Sequence, residues 1–143
     1  MFNRITLLAT SLCLLVAGAA SAQVTSRQLN AYMGLYQVKA DAAGVAFGCL
    51  RPRDTKIVYE AMVRLIDLPE GSGERTELSA MIDETWGALQ ADGLCGRLKI
   101  DAVMKRWDSD EEYPELIGVR ATGWGGERGR TYWTRLAWLE PAE

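Results

Sequence analysis

The chain is expected to fold as an α-rich α+β domain, with an up-down-up unit of three helices followed by a small antiparallel β meander. Three observations predict it. Residues 26–92 carry three apolar stripes at helical spacing, the texture changes to alternation after Gly96, and Cys49 and Cys95 fall where two of the helices would end side by side.

The first stripe covers 26–47. Leu29, Tyr32, Met33, Tyr36, Ala40, Ala43 and Phe47 recur at steps of three and four, which is one face of a helix. Thr25 and Gln28 have the spacing of a capping box, Val24 can staple to Leu29, and Gly44 or Gly48 can end the helix. The second stripe covers 55–68, with apolar pairs at Ile57/Val58, Ala61/Met62 and Leu65/Ile66. Asp54 or Thr55 can cap it, and Pro69 followed by Gly71-Ser72-Gly73 ends it in a turn. The third covers 74–92 through Leu78, Met81, Ile82, Thr85 and Leu89. Its stop is explicit: Gly93 sits at C′ and Leu94 at C″, from where Leu94 can pack back on Leu89 as a Schellman cap requires.

Beyond Cys95, residues 97–107 read two ways. Leu98, Ile100, Ala102 and Met104 share one strand face, whereas Ile100, Val103, Met104 and Trp107 share one helix face. Residues 115–124 alternate through Ile117, Val119 and Ala121, and 131–139 are rich in strand formers. With turn-like connectors between them, these segments suggest a three-stranded antiparallel meander. A fourth helix at 97–107 followed by a C-terminal β-hairpin is the alternative. If the three helices run up, down and up, Cys49 and Cys95 lie just past two neighbouring helix ends.

Residues 1–22 have the layout of a secretory signal peptide: Arg4, an apolar stretch from Ile5 to Ala17, and the A-x-A site Ala20-Ser21-Ala22. The apolar stretch is shorter than the roughly 20 residues a membrane span needs, and no later segment is long and apolar enough. Residues 23–143 are then expected to form a single exported domain, periplasmic or secreted. The whole chain carries a net charge of −3, and removing Arg4 leaves −4. A mildly acidic protein is poorly suited to polyanions, so nucleic acid is not an expected partner.

Three cysteines become two when Cys13 leaves with the leader. An even pair in a small exported chain reads as a disulfide, Cys49–Cys95. It would close a loop of about 46 residues, which the chain-entropy relation values at about 4 kcal/mol.

Nothing in the sequence announces catalysis, a cofactor or a metal site. There is no histidine, so the commonest general base and the usual Cys/His zinc sites are missing. No C-x-x-C, G-x-S-x-G, P-loop or G-x-G-x-x-G occurs. Glu77 and Glu84, with Asp83 beside them, share a helix face and have the composition of a glycan-cleaving pair, although a solvated face has it too. The acidic run at 108–115 holds Asp108, Asp110, Glu111, Glu112 and Glu115 but lacks the EF-hand glycine, and it reads as a solvated turn.

The most suggestive stretch is 120–135. Arg120, Arg128, Arg130 and Arg135 gather there with Trp124, Tyr132 and Trp133. Aromatics and arginines anchor binding surfaces, so Trp124, Arg128, Arg130, Tyr132 and Trp133 are the expected partner-binding residues. Alternation also places Trp133 and Trp138 on opposite faces, so both cannot pack inward from one sheet. The expected function is that of a non-enzymatic exported binding or accessory protein working through protein–protein contact: an envelope assembly factor, an inhibitor or an immunity protein. Its partner would be another envelope or exported protein, or a glycan. A carboxylate-dependent cell-wall glycan hydrolase and a structural subunit of an envelope complex are the alternatives.

Overall fold

The computed structural model describes residues 25–121 and 129–143. The expected leader at 1–22 lies outside them. The chain runs α1 (Ser26–Tyr32), β1 (Leu35–Val38), a 3-10 turn (Ala40–Ala42), β2 (Phe47–Cys49), α2 (Pro52–Asp67), α3 (Gly73–Ala91), β3 (Cys95–Arg97), β4 (Met104–Asp108), β5 (Leu116–Ala121), β6 (Tyr132–Arg135), a second 3-10 turn (Leu136–Trp138) and β7 (Leu139–Pro141). All seven strands join one antiparallel sheet in the order β3-β2-β6-β5-β4-β1-β7.

This overturns the expected fold class. The sheet, not a three-helix unit, organises the molecule, and neither the small C-terminal meander nor the four-helix alternative describes it. The error lies in 26–47. The capping box is present and starts α1 as expected, but Gly34, at φ +70°, ends the helix after two turns. Tyr36 and Val38 then alternate as strand residues, pairing with Met104 and Leu139. Leu29 and Tyr32, the front of the supposed buried stripe, are exposed, Tyr32 at 91%. A stripe of three-and-four spacing was thus shared between a short surface helix and two strands.

The second and third helices are where their patterns put them. Pro52 occupies the first helical position of α2, so the helix begins ahead of Asp54 and Thr55. Ser72 caps α3 by accepting from the Arg75 N–H. At its far end Leu94 N–H donates to Leu89 O and Gly93 N–H to Gln90 O, which is the expected Schellman pattern with Gly93 at φ +67°.

The ambiguous stretch 97–107 is neither one strand nor a helix. It ends β3, leaves the sheet, and re-enters it as β4. The meander does occur as β4-β5-β6, but in the middle of a larger sheet.

The sheet is strongly curled. β6 and β7 are four strands apart, roughly 19 Å in a flat sheet. Yet only the 3-10 turn Leu136–Trp138 joins them, and four Cα steps reach about 14 Å at most. The inner face encloses Val38, Ala42, Ala46, Leu98, Met104, Ile117, Val119 and Leu139. On the outer face α2 and α3 cover β2, β3 and β6. There Phe47, Cys49, Val58 and Cys95 form a second core, with Tyr59, Met62, Trp86, Leu89 and Trp138 packed against it. Phe47 meets the rings of Trp86 and Trp138 at centroid distances of 5.2 and 5.1 Å.

The Cys49–Cys95 disulfide is present, but between strands rather than helix ends. The two cysteines are directly opposite each other on β2 and β3. Leu50 N–H donates to Leu94 O one step away, so the cysteines occupy the narrow, non-hydrogen-bonded position of the ladder. Among the described residues no helix is long and apolar enough to cross a membrane.

Candidate functional site

The described helices do not cover the whole outer sheet face. α2 and α3 lie over one end of the strand order and α1 against β1 and β7 at the other. β4 and β5 lie between, and residues 105–108 of β4 are exposed. What this strip presents follows from register. Lys105 is directly opposite Arg120, so their side chains share a face. A β-bulge between Arg106 and Asp108 leaves Trp107 without a cross-strand partner. Bulges re-aim side chains, and here the indole lies under the Arg120 guanidinium, 3.6 Å from carbon to ring centroid. Arg120 Nε also donates to Thr131 Oγ1 at 3.1 Å. The indole is 53% exposed. The result is a fixed cation on an aromatic plate, with a second cation beside it.

Like charges directly opposite on paired strands oppose folding. Among the described residues no carboxylate forms an ion pair with Lys105, Arg106 or Arg120; the ion pairs present are Arg27–Glu140, Arg51–Asp54, Lys56–Glu60 and Arg64–Glu74. The ring and the Thr131 hydroxyl offset part of the Lys105–Arg120 repulsion. A cation over an exposed ring contributes about 0.5–1 kcal/mol.

The acidic turn closes the same β4–β5 hairpin. The Asp108 carboxylate accepts from Ser109 N–H and that of Asp110 from Glu112 N–H, so the turn is locally organised. It leans toward the start of α2, where Lys56 Nζ lies 5.4 Å from the Tyr113 ring centroid. Partial desolvation raises the Tyr113 phenol above its ordinary value, and the neighbouring Glu112 carboxylate adds to the effect. Among the described residues no cluster of three or more acidic or cysteine side chains could hold a metal ion.

The residues singled out from sequence have separate fates. Trp133 is buried at 9% exposure on the outer face, beside Cys49. Tyr132 is half-buried against the inner core. Trp138 also packs, against both cores: the 3-10 turn Leu136–Trp138 breaks the strand alternation that would have kept Trp133 and Trp138 from both packing inward. Arg135 lies on the Tyr59 ring at 3.6 Å, with its Nε buried and without a hydrogen-bond partner among the described residues. Arg130 is exposed at the entrance to β6, one residue from the Thr131 that holds Arg120. Trp124 and Arg128 lie outside the described residues. Glu77, Asp83 and Glu84 are exposed on α3.

Lys105 and Trp107 are the residues that reading by sequence missed. The signal was present in the strand reading of 97–107: if Met104 faces the core, Lys105 and Trp107 face away from it, and a tryptophan on the solvent side of a strand between charged neighbours is unusual.

A second feature is apolar. Ile57, Val58, Ala61, Met81, Ile82 and Thr85 line a hollow of about 150 Å³ between α2 and α3. It carries no charged group.

No protein-family model, curated protein or solved structure matches this chain. Its own geometry must carry the functional reading.

Proposed function

We propose that the chain is an exported, non-enzymatic binding or accessory protein that acts through protein–protein contact. The class includes envelope assembly factors, inhibitors and immunity proteins. The observation that carries this reading is the Trp107–Arg120 stack: a half-exposed tryptophan and an oriented guanidinium on a sheet face that none of the described helices covers. Tryptophan and arginine dominate binding energy at protein interfaces. A rigid sheet presents them at little entropic cost. The exposed Arg130 precedes Thr131, whose hydroxyl holds Arg120.

Export is supported by the Cys49–Cys95 bridge, since disulfides persist in oxidising compartments. N-terminal sequencing of the exported product is expected to begin at Gln23.

The test of the site is crosslinked capture from the native compartment with the Trp107→Ala/Arg120→Ala variant. Trp107 is exposed and Arg120 is half-buried at the surface, so the variant is expected to keep its melting temperature within a few degrees and to lose the partners that the parent protein captures. An unchanged set of captured partners would remove this face from consideration.

A further inference from the structure

We infer that the strip formed by Lys105, Trp107 and Arg120 receives an acidic segment of its partner protein, with Asp or Glu carboxylates laid across β4 and β5. This rests on the reading of that face as the partner-binding surface and adds the chemistry of the partner.

Charge complementarity carries the inference. The chain has 19 acidic and 16 basic side chains, so carboxylates are not scarce. Yet the fold sets Lys105 and Arg120 opposite each other with no carboxylate paired to either among the described residues. A carboxylate placed between them relieves a repulsion that the free protein retains. Arg120 is prepared for it. The Thr131 hydroxyl takes the Nε–H and the Trp107 ring fixes the guanidinium plane. The terminal nitrogens are left to present the planar fork that matches a carboxylate in two hydrogen bonds. The exposed indole supplies apolar area beside that fork.

The surroundings select a narrow ligand over a broad anionic surface. Asp108, Asp110, Glu111, Glu112 and Glu115 occupy the end of the same hairpin. The bulge sets Asp108 opposite Gly118, two β5 residues from Arg120, so the nearest of these carboxylates stands roughly 7 Å along the strand from the Lys105–Arg120 pair, inside one screening length at physiological salt. A flat anionic membrane or a long polyanion would meet the acidic turn together with the strip. A short acidic segment crossing β4 and β5 at Lys105 and Arg120 meets the two cations with Asp108 as the nearest carboxylate, and the rest of the acidic turn lies further along the hairpin.

The oxidised, leader-free protein can be tested with fluorescein-labelled hexaglutamate, read by fluorescence polarisation at 50 and 200 mM salt, with hexalysine and phosphatidylglycerol vesicles as the other arms. Hexaglutamate is expected to bind, to weaken at the higher salt, and to lose at least tenfold in affinity with Lys105→Glu/Arg120→Glu. Arg120→Lys, which keeps the charge but loses the planar fork, should lose severalfold. Arg53→Glu, a reversal on exposed α2, should bind like the parent. Amide NMR shifts on adding hexaglutamate should centre on 104–108 and 117–121.

The proposal is overturned by the absence of hexaglutamate binding, by an equal loss in Arg53→Glu, or by vesicles binding as well as the peptide does. Sedimentation velocity of the protein alone addresses a second copy docking its acidic turn here. A salt-sensitive dimer abolished by Lys105→Glu/Arg120→Glu would replace the partner with the chain itself and overturn the inference. If Trp107→Ala/Arg120→Ala loses its captured partners while hexaglutamate does not bind, the site stands and its acidic specificity falls. If capture is unchanged, the site itself falls.

Discussion

The Thr55 hydroxyl donates to the Trp133 carbonyl oxygen at 2.7 Å, and Thr55 is fully buried. This bond fastens the first turn of α2 to the middle of β6. The Thr134 hydroxyl makes the neighbouring attachment, donating to Phe47 O on β2 at 2.7 Å. Thr55→Val keeps the shape and removes the donor, leaving a buried carbonyl with one partner fewer. A buried group deprived of its partner costs about 1–3 kcal/mol. Denaturant unfolding of Thr55→Val should therefore show a lower midpoint at an unchanged slope. Thr55→Ser, which keeps the hydroxyl, should lose less.

The disulfide offers a second test. It crosses one rung of the β2–β3 ladder at the start of the second core, where Phe47, Val58, Trp86 and Leu89 converge. The chain-entropy relation for a separation of 46 residues gives about 4 kcal/mol as a model-dependent upper figure. Reductant should lower the unfolding midpoint, and Cys49→Ala/Cys95→Ala should match the reduced protein or fall below it. Non-reducing peptide mapping of the protein should recover Cys49 linked to Cys95. Two free thiols would contradict the bridge.

What was legible in the sequence was what local chemistry decides. α2 and α3 are long and periodic, and Pro69 and Gly93 mark their ends, whereas α2 starts at Pro52, ahead of the expected caps Asp54 and Thr55. The pairing of Cys49 with Cys95 is read from cysteine number and the expected leader, and the bridge is present. The sheet was not legible because its partners are distant. Tyr36 becomes a strand residue by lying between Met104 and Pro141, and Gln37 by lying beside Glu140. Neither partnership leaves a local trace, and the spacing from Leu29 to Phe47 imitates a helix. The site had a similar history. Arg120 was noticed among its neighbouring arginines, but Trp107 could be placed beside it only once the bulge and the β4–β5 register were known.

Gly118 is expected to resist substitution for a purely steric reason. A Cβ there would lie 2.9 Å from Thr131 Cγ2 and 3.1 Å from Asp108 Cβ. The first contact forces a shift, and it does so beside the threonine that holds Arg120. Overpacking of this kind costs about 1–3 kcal/mol. Gly118→Ala should therefore lower the melting temperature and weaken any ligand that depends on Arg120. Thr131→Ser removes the clashing methyl and keeps the hydroxyl, so Gly118→Ala/Thr131→Ser should recover part of the loss. Strict additivity of the two changes would show that the methyl is not the obstacle.

Gly93 presents the opposite case. Among the described residues nothing beyond its own chain neighbours lies within 4 Å of where its Cβ would be, but its φ is +67°. Substitution there is opposed by backbone conformation alone, about 1–2 kcal/mol for an ordinary L residue in the left-handed region. Gly93→Ala should lose about that much, Gly93→Asn less because asparagine enters this region more readily, and Gly93→Val more because its branched Cβ is stiffer. D-alanine introduced at 93 by chemical ligation favours positive φ and meets open space, so it should retain most of the parent stability. The alternative cause is disruption of the Leu94–Leu89 closure, which sets the entry of Cys95 into β3. In that case D-alanine would lose as much as L-alanine. Thermal unfolding of the oxidised proteins compares the two directly, since the closed bridge keeps β3 attached to β2 in every variant.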